Sequence, residues 1–95
     1  MKYSKKRAKE LVKKISHTRP NGKQGAFCLR EKYGVSSGEN LAKGFIKTKK
    51  VVNAWMNSET HKKVLLGTKY RFIGTACWYK NGIYYWTMHV TAKFK

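Results

Sequence analysis

Three side chains of this sequence have the types that a small functional site needs: His17, Glu39 and His61. Imidazole titrates near neutral pH, so a neutral histidine can serve as a base or as a metal ligand. Two converging imidazoles and one carboxylate, with a fourth position open, form the ligand set of a zinc-type metal site. His17, Glu39 and His61 are therefore our candidate metal ligands. The alternative is that the two histidines only hydrogen-bond to Glu39 and hold the fold together.

The segment around Ser58 and His61 predicts a short helix from Glu59 to Leu66 that ends at Gly67. We interpret Ser58 as the N-cap of this helix rather than as a nucleophile. His61 then lies third in the helix, at the positive end of the helix dipole, which disfavours the imidazolium form. This position predicts a neutral ring that is available as a ligand or base.

The N-terminal third predicts two helices, with a loop between them that carries His17. The first helix is expected from Ser4 to Ile15, because apolar residues recur there at helical spacing, at Ala8, Leu11, Val12 and Ile15. The loop "HTRPNGKQG" contains a proline and an Asn-Gly turn signal, so His17 should lie just past the end of the first helix. The stretch "AFCLREKY", residues 26–33, predicts a second, short helix that stops at Gly34.

The middle of the chain predicts an extended or irregular segment followed by another helix. The stretch "GENLAKGF" is too short and too glycine-bounded for a helix, so we expect a strand or irregular segment that begins near Glu39. Thr48 is the expected N-cap of the next helix. Its apolar stripe should face the core and consists of Val51, Val52, Trp55 and Met56.

The C-terminal part predicts a β-hairpin formed by residues 70–79 and 83–92. Asn81-Gly82 lies between two runs of β-branched and aromatic residues, which is a strong signal for a two-residue turn. The predicted pairs are Tyr79 with Tyr84, Cys77 with Trp86, Thr75 with Met88 and Gly74 with His89. Both faces are largely apolar, so helices should cover both sides of the sheet. We interpret His89 as a satisfied sheet histidine rather than a ligand, and most of the aromatic residues as core.

The ordered motifs "SHTRPNG", "GENLAKG", "VVNAWMNSETHKKVLL" and "YRFIGTACWYKNGIYYWTMHV" resemble the CAP superfamily. This is the SCP-like domain of cysteine-rich secretory proteins, antigen 5 and pathogenesis-related proteins, and the resemblance is strongest to the bacterial branch. It covers roughly residues 8 to 90, in a chain that is shortened at its N-terminus. The length of 95 residues predicts a single domain, residues 1–95.

The resemblance implies an α+β fold, an α-β-α sandwich with a small antiparallel sheet between helices. It also implies a cleft lined by two histidines and two acidic residues. His17 in "HTRP" is similar to the first cleft histidine, Glu39 in "GEN" to the first glutamate, and His61 in "NSETH" to the second histidine. The second acid would fall at about Ser58, so a mechanism with two carboxylates is in doubt.

The charge of the chain indicates which kinds of partner it can attract. Its 22 basic and four acidic residues give a net charge of +18, which attracts anionic polymers or surfaces such as cell-wall polymer, lipid or nucleic acid. No apolar run is long enough to span a membrane, and no signal peptide is visible. The resemblance implies an extracellular or cell-surface location. Cys28 and Cys77 could form one disulfide or remain thiols.

Three functions remain open from the sequence. The first is a secreted or surface-associated binding module whose cleft holds a divalent metal such as zinc, or a small ligand, and whose basic surface docks on anionic polymers. The second is a protease-like hydrolase that uses Glu39 and a histidine. The third is a nonspecific nucleic-acid-binding protein, for which no helix-turn-helix, zinc finger or stacking motif is present. Whether the chain is an enzyme is left undecided, with a binding module favoured.

Overall fold

The C-terminal hairpin forms the centre of the fold, and it is paired as the sequence predicts. In the computed structural model, which describes residues 2–93, β2 (Tyr70–Lys80) and β3 (Ile83–Ala92) are antiparallel. Tyr79 lies opposite Tyr84, and Gly74 lies opposite His89. The turn residues Asn81 and Gly82 both have positive φ, 51° and 82°. The predicted hairpin register is confirmed by these pairs. The two-residue turn forms at this point because Asn and Gly tolerate positive φ.

Replacing Gly82 with alanine should therefore destabilise the hairpin. An added Cβ meets no neighbouring atom at this position, so the cost comes from the backbone conformation alone, at φ +82°. We expect a loss of about 1–2 kcal/mol in the free energy of unfolding, measured by chemical denaturation. Asn81→Gly at the adjacent turn residue is the control and should be close to neutral. A loss below about 0.3 kcal/mol for Gly82→Ala would contradict the turn assignment.

A third strand completes the sheet and positions Glu39. β1 (Ser37–Lys43) pairs antiparallel with β3, which gives the strand order β1-β3-β2. Glu39 lies opposite His89, so the two side chains point to the same face of the sheet. The expected extended segment near Glu39 is thus a regular strand that begins two residues earlier, at Ser37.

Helices lie on both faces of this sheet. The helices are α1 (Lys2–Leu11), α2 (Gly25–Tyr33), α3 (Thr48–Met56) and α4 (Glu59–Leu65). On one face, Leu11 of α1 packs with Leu41 and Tyr85. On the other face, a buried cluster joins α3 to β3 and consists of Val51, Trp55, Met88 and Val90. The predicted α+β fold, an α-β-α sandwich, is confirmed.

Each of the four helices has an end that differs from the sequence prediction, and α2 begins at Gly25 rather than at Ala26. α1 ends at Leu11 instead of Ile15, and the side chain of Ile15 is 43% exposed. A tertiary hydrogen bond accounts for this earlier end. Nη2 of Arg7 donates to the carbonyl of Ser16 at 2.7 Å, which holds the following residues in a path that does not continue the helix. Thr48 is the first residue of α3 rather than its N-cap, which is Lys47. α4 ends at Leu65, one residue before the predicted end.

The two cysteines are free thiols in this structure. Cys28 lies on α2 and is partly buried, whereas Cys77 is exposed on β2. β2 is an edge strand of the sheet, because β3 takes the central position.

Candidate functional site

Glu39 is the centre of a buried polar cluster rather than an open cleft carboxylate. Its side chain is only 1% exposed, and both oxygens accept two hydrogen bonds each. Oε1 accepts from Nδ1 of His17 at 2.9 Å and from Nη2 of Arg7 at 3.0 Å. Oε2 accepts from Nε of Arg7 at 2.8 Å and from Nε2 of His89 at 2.7 Å. Four donors satisfy the carboxylate, so burial of its charge is compensated.

These contacts fix the charge state of Glu39. Burial by itself raises the pKa of the carboxyl group, but the hydrogen bonds from His17, His89 and Arg7 outweigh it and hold the pKa well below its usual range. Glu39 is therefore ionised at every pH at which the protein is folded in this form. A carboxylate with so low a pKa is a poor proton acceptor.

His89 connects Glu39 to α1. Its ring is fully buried, and its Nδ1 lies 2.7 Å from the hydroxyl oxygen of Ser4. Because Nε2 donates to the carboxylate, a neutral ring has its proton on Nε2 and accepts from Ser4 at Nδ1. Burial is the largest cause that lowers the pKa of His89 and keeps the ring neutral. Its interpretation as a satisfied sheet histidine agrees with this environment.

The stability of the protein should fall in acid in two stages. The pKa of His89 in the folded protein lies below its ordinary value. As the pH falls below about 6.5, His89 therefore takes up a proton in the unfolded chain before it does in the folded protein, and the free energy of unfolding decreases. The folded pKa of Glu39 is also lowered, so a second loss begins where the unfolded carboxyl titrates, below about pH 4.5. Thermal melting at a series of pH values measures both stages. A melting temperature that is constant down to about pH 4 would contradict this prediction.

Arg7 is the residue of this cluster that the sequence analysis missed. It lies in the first helix, its side chain is 1% exposed, and it bridges Glu39 to Glu10, whose Oε1 it contacts at 2.8 Å. Arg19 donates to the other oxygen of Glu10 at 2.9 Å. The sequence does contain a signal that Arg7 is buried. Arg7 lies on the buried stripe of α1, three residues before Glu10 and one before Ala8.

His17 is the solvent-facing member of the cluster. Its side chain is 54% exposed, and its backbone carbonyl accepts from the N–H of Gly25 at 2.7 Å, which fixes the loop at the start of α2. Glu39 holds Nδ1, so Nε2 is the ring nitrogen that can receive a ligand. His17 and Glu39, two of the predicted cleft residues, are in direct contact.

His61 lies at the start of α4, next to Ser58. Its Nδ1 is 2.9 Å from the hydroxyl oxygen of Ser58, which leaves Nε2 as the nitrogen for a ligand. Its backbone carbonyl accepts from Nδ2 of Asn40 at 3.0 Å, so β1 anchors this turn of the helix. Burial, and then the charge of His17, lower the pKa of His61. Both causes favour the neutral ring that the sequence predicts for His61.

Ser58 occupies the predicted N-cap position, but its side chain does not cap the helix. It makes no hydrogen bond to the backbone of the first turn. Its hydroxyl contacts His61 and, at 3.4 Å, the hydroxyl of Thr60. The prediction that the Ser58 side chain caps the helix is therefore wrong, and Ser58 orients the His61 ring instead.

The predicted metal ligands differ in whether their donor atoms are already engaged in other contacts. Among residues 2–93, no three His, Cys, Asp or Glu side chains form a group that could hold a metal ion. Both oxygens of Glu39 already contact Arg7, which competes with direct coordination. The remaining donors are Nε2 of His17 and Nε2 of His61. A carboxylate behind a ligating histidine is a common support for metal binding.

The fold and these positions define a class: an α-β-α sandwich with a histidine of an N-terminal loop against a strand glutamate and a second histidine on a short helix. The model of the CAP family, described as the cysteine-rich secretory protein family, matches residues 1–90. The chain belongs to this family.

Similar proteins come from bacteria. An extracellular protein containing an SCP domain from Bacillus anthracis str. Ames aligns over 97% of this chain and 31% of its own, with 26% identity and a TM-score of 0.80. An outer surface protein from Borrelia burgdorferi aligns over 100% of this chain and 76% of its own, with 30% identity and a TM-score of 0.75. The uncharacterized protein YkwD of Bacillus subtilis (strain 168) is 43% identical over 51 residues, which span 50% of this chain and 20% of YkwD.

Proposed function

We propose that this protein is an extracellular or surface-associated CAP-type binding module whose cleft binds a divalent metal such as zinc through His17 and His61. The observation that carries the proposal is the contact between Nδ1 of His17 and Glu39, made by a side chain that is 54% exposed. Ser58 likewise contacts Nδ1 of His61. Glu39 then acts as a positioning residue for His17 rather than as a direct ligand.

The remaining coordination positions suit a small ligand. Two histidines leave two positions of a tetrahedral zinc ion for water or for an anionic or carbonyl group of a bound molecule. The relatives support the location, since one is an extracellular protein and another an outer surface protein. Within residues 2–93, no helix has the length and apolar character needed to cross a membrane.

The basic surface supports a second element of the proposal, docking on an anionic polymer such as cell-wall polymer or nucleic acid. The net charge of +18 supplies a strong, sequence-independent attraction that weakens with salt. Nonspecific binding to DNA would follow from the same charge and is an outcome to test rather than a separate function.

No observation favours the hydrolase alternative. Glu39 is buried and fully hydrogen-bonded, so it is poorly suited to act as a base. Ser4, His89 and Glu39 are linked in series, but Ser4 and His89 are fully buried, and a substrate carbonyl could not reach the hydroxyl. The series is better explained as a structural network.

Zinc titration by calorimetry tests the cleft. We expect weak one-site binding in the native chain and a loss of at least about tenfold in affinity for His17→Ala and for His61→Ala. Affinity should also decrease in acid, because protonated imidazole cannot bind the metal. The double variant Cys28→Ser, Cys77→Ser is the control for thiol ligation and should bind like the native chain. Equal binding by the native and both histidine variants would contradict the proposal.

A further inference from the structure

The end of the sheet that carries the hairpin turn combines exposed apolar side chains with lysines. We define this surface as the sheet-end patch. Its apolar members are Ile46, Tyr79 and Ile83, whose exposed fractions are 74%, 58% and 36%. Its basic members are the exposed residues Lys43, Lys47, Lys50 and Lys80. Ile46 exposes a larger fraction than any other large hydrophobic residue described.

Two segments that are distant in sequence form this patch. The N–H of Gly44 donates to the carbonyl of Tyr84 at 2.9 Å, and Nε1 of Trp86 donates to the carbonyl of Phe45 at 2.7 Å. These bonds fix the loop after β1 against the hairpin. The ring of Tyr79 contacts the ring of Tyr84, with 4.8 Å between centroids. The apolar side chains are therefore presented on an ordered scaffold rather than on a free loop.

The charge of the patch is of one sign. None of the four glutamates of the chain lies in residues 43–50 or 78–86, the two segments that form it. The ion pairs found among residues 2–93 do not involve its lysines. At the opposite end of the molecule, by contrast, Glu59 lies beside Lys62, Lys63 and the exposed Leu66.

We propose that the sheet-end patch docks the protein on the surface of an anionic lipid bilayer. Lysines attract acidic headgroups, while aliphatic and aromatic side chains gain free energy by entering the boundary between headgroups and acyl chains. A soluble polyanion would use the lysines but would leave Ile46 and Tyr79 in water, so the apolar members favour a membrane as the partner. The inference is independent of the histidine cleft and goes beyond the proposed function.

Vesicle co-sedimentation of the full chain tests this inference. The vesicles contain phosphatidylcholine alone or with about one third phosphatidylglycerol, and binding is expected only with the acidic lipid. The double variant Ile46→Ser, Tyr79→Ser should bind at least about tenfold more weakly. Ile73→Ser is the matched control, because Ile73 is 62% exposed but lies on β2 outside the patch, and it should change binding less than about twofold.

A second pair of variants separates the patch from general charge. Lys47→Gln with Lys80→Gln should weaken binding by roughly 25-fold, about fivefold for each lysine, and more than Lys62→Gln with Lys63→Gln does. If the two lysine pairs have equal effects and the Ile46, Tyr79 variant binds like the native chain, attraction is by net charge alone and the inference is wrong. The patch variants should bind zinc like the native chain, and His61→Ala should bind vesicles like the native chain. These two results would show that membrane docking and metal binding are tested independently.

Discussion

Replacing Trp55 with alanine is expected to lower the free energy of unfolding by about 3–5 kcal/mol. Trp55 is 4% exposed and packs with Val51, Met88 and Val90 between α3 and the sheet. Its Nε1–H also donates to the carbonyl of Leu41 at 3.0 Å, so the substitution leaves both a large cavity and an unpaired buried carbonyl. For a domain of this size the loss approaches the whole stability. Urea denaturation followed by circular dichroism measures it.

Trp78→Ala is the control for the Trp55 substitution. Trp78 lies on the edge strand β2, is only partly buried, and has the Nζ of Lys9 4.5 Å from its ring centre. We expect a smaller loss of roughly 1–2 kcal/mol. If Trp55→Ala unfolds cooperatively with a loss no larger than that of Trp78→Ala, the core between α3 and the sheet is not organised as described.

Glu39→Gln is expected to destabilise the protein by about 3–5 kcal/mol. The substitution removes the charge that compensates the buried guanidinium of Arg7, and it replaces one acceptor oxygen with a donor that faces Arg7 or His89. Removing one partner of a buried ion pair leaves an uncompensated charge, which costs more than the pair contributes. Chemical denaturation near pH 7 gives the difference.

Glu31→Gln is the matched control for Glu39→Gln. Glu31 also pairs with a cation, Lys23, at 3.0 Å, but the two side chains are 53% and 50% exposed. An exposed pair contributes between zero and about 1 kcal/mol, so this change should be nearly neutral. Similar losses for the two substitutions would mean that Glu39 is hydrated and would contradict its central position in the cluster.

The hairpin could be predicted from sequence because its signals are local. The Asn-Gly turn and the runs of β-branched and aromatic residues on either side of it define the register, and residue pairs such as Tyr79 with Tyr84 follow by counting. The end of α1 could not be predicted in this way. Its apolar spacing continues to Ile15, but Arg7 binds the carbonyl of Ser16 and the helix stops earlier. A tertiary hydrogen bond thus overrides the periodic pattern.

The site was predicted only in part, for the same reason. The motif resemblance named His17 and Glu39 as neighbouring cleft residues, but it gave no sign of the other partners of Glu39. These lie far along the chain, Arg7 at a separation of 32 residues and His89 at 50. Sequence spacing carries no information about such contacts without the strand register. Once β1 and β3 are aligned, Glu39 lies opposite His89, and the buried cluster follows.

Long-range proton–nitrogen NMR of the histidine rings during a zinc titration tests the central claim most directly. Before zinc is added, His89 should show the tautomer protonated at Nε2, because that atom donates to Glu39. Zinc should then shift the Nε2 resonances of His17 and His61 together and leave His89 unchanged. Zinc that shifts no ring nitrogen of His17 or His61, even in large molar excess, would show that the cleft is not a metal site and that the histidines serve only the structural network.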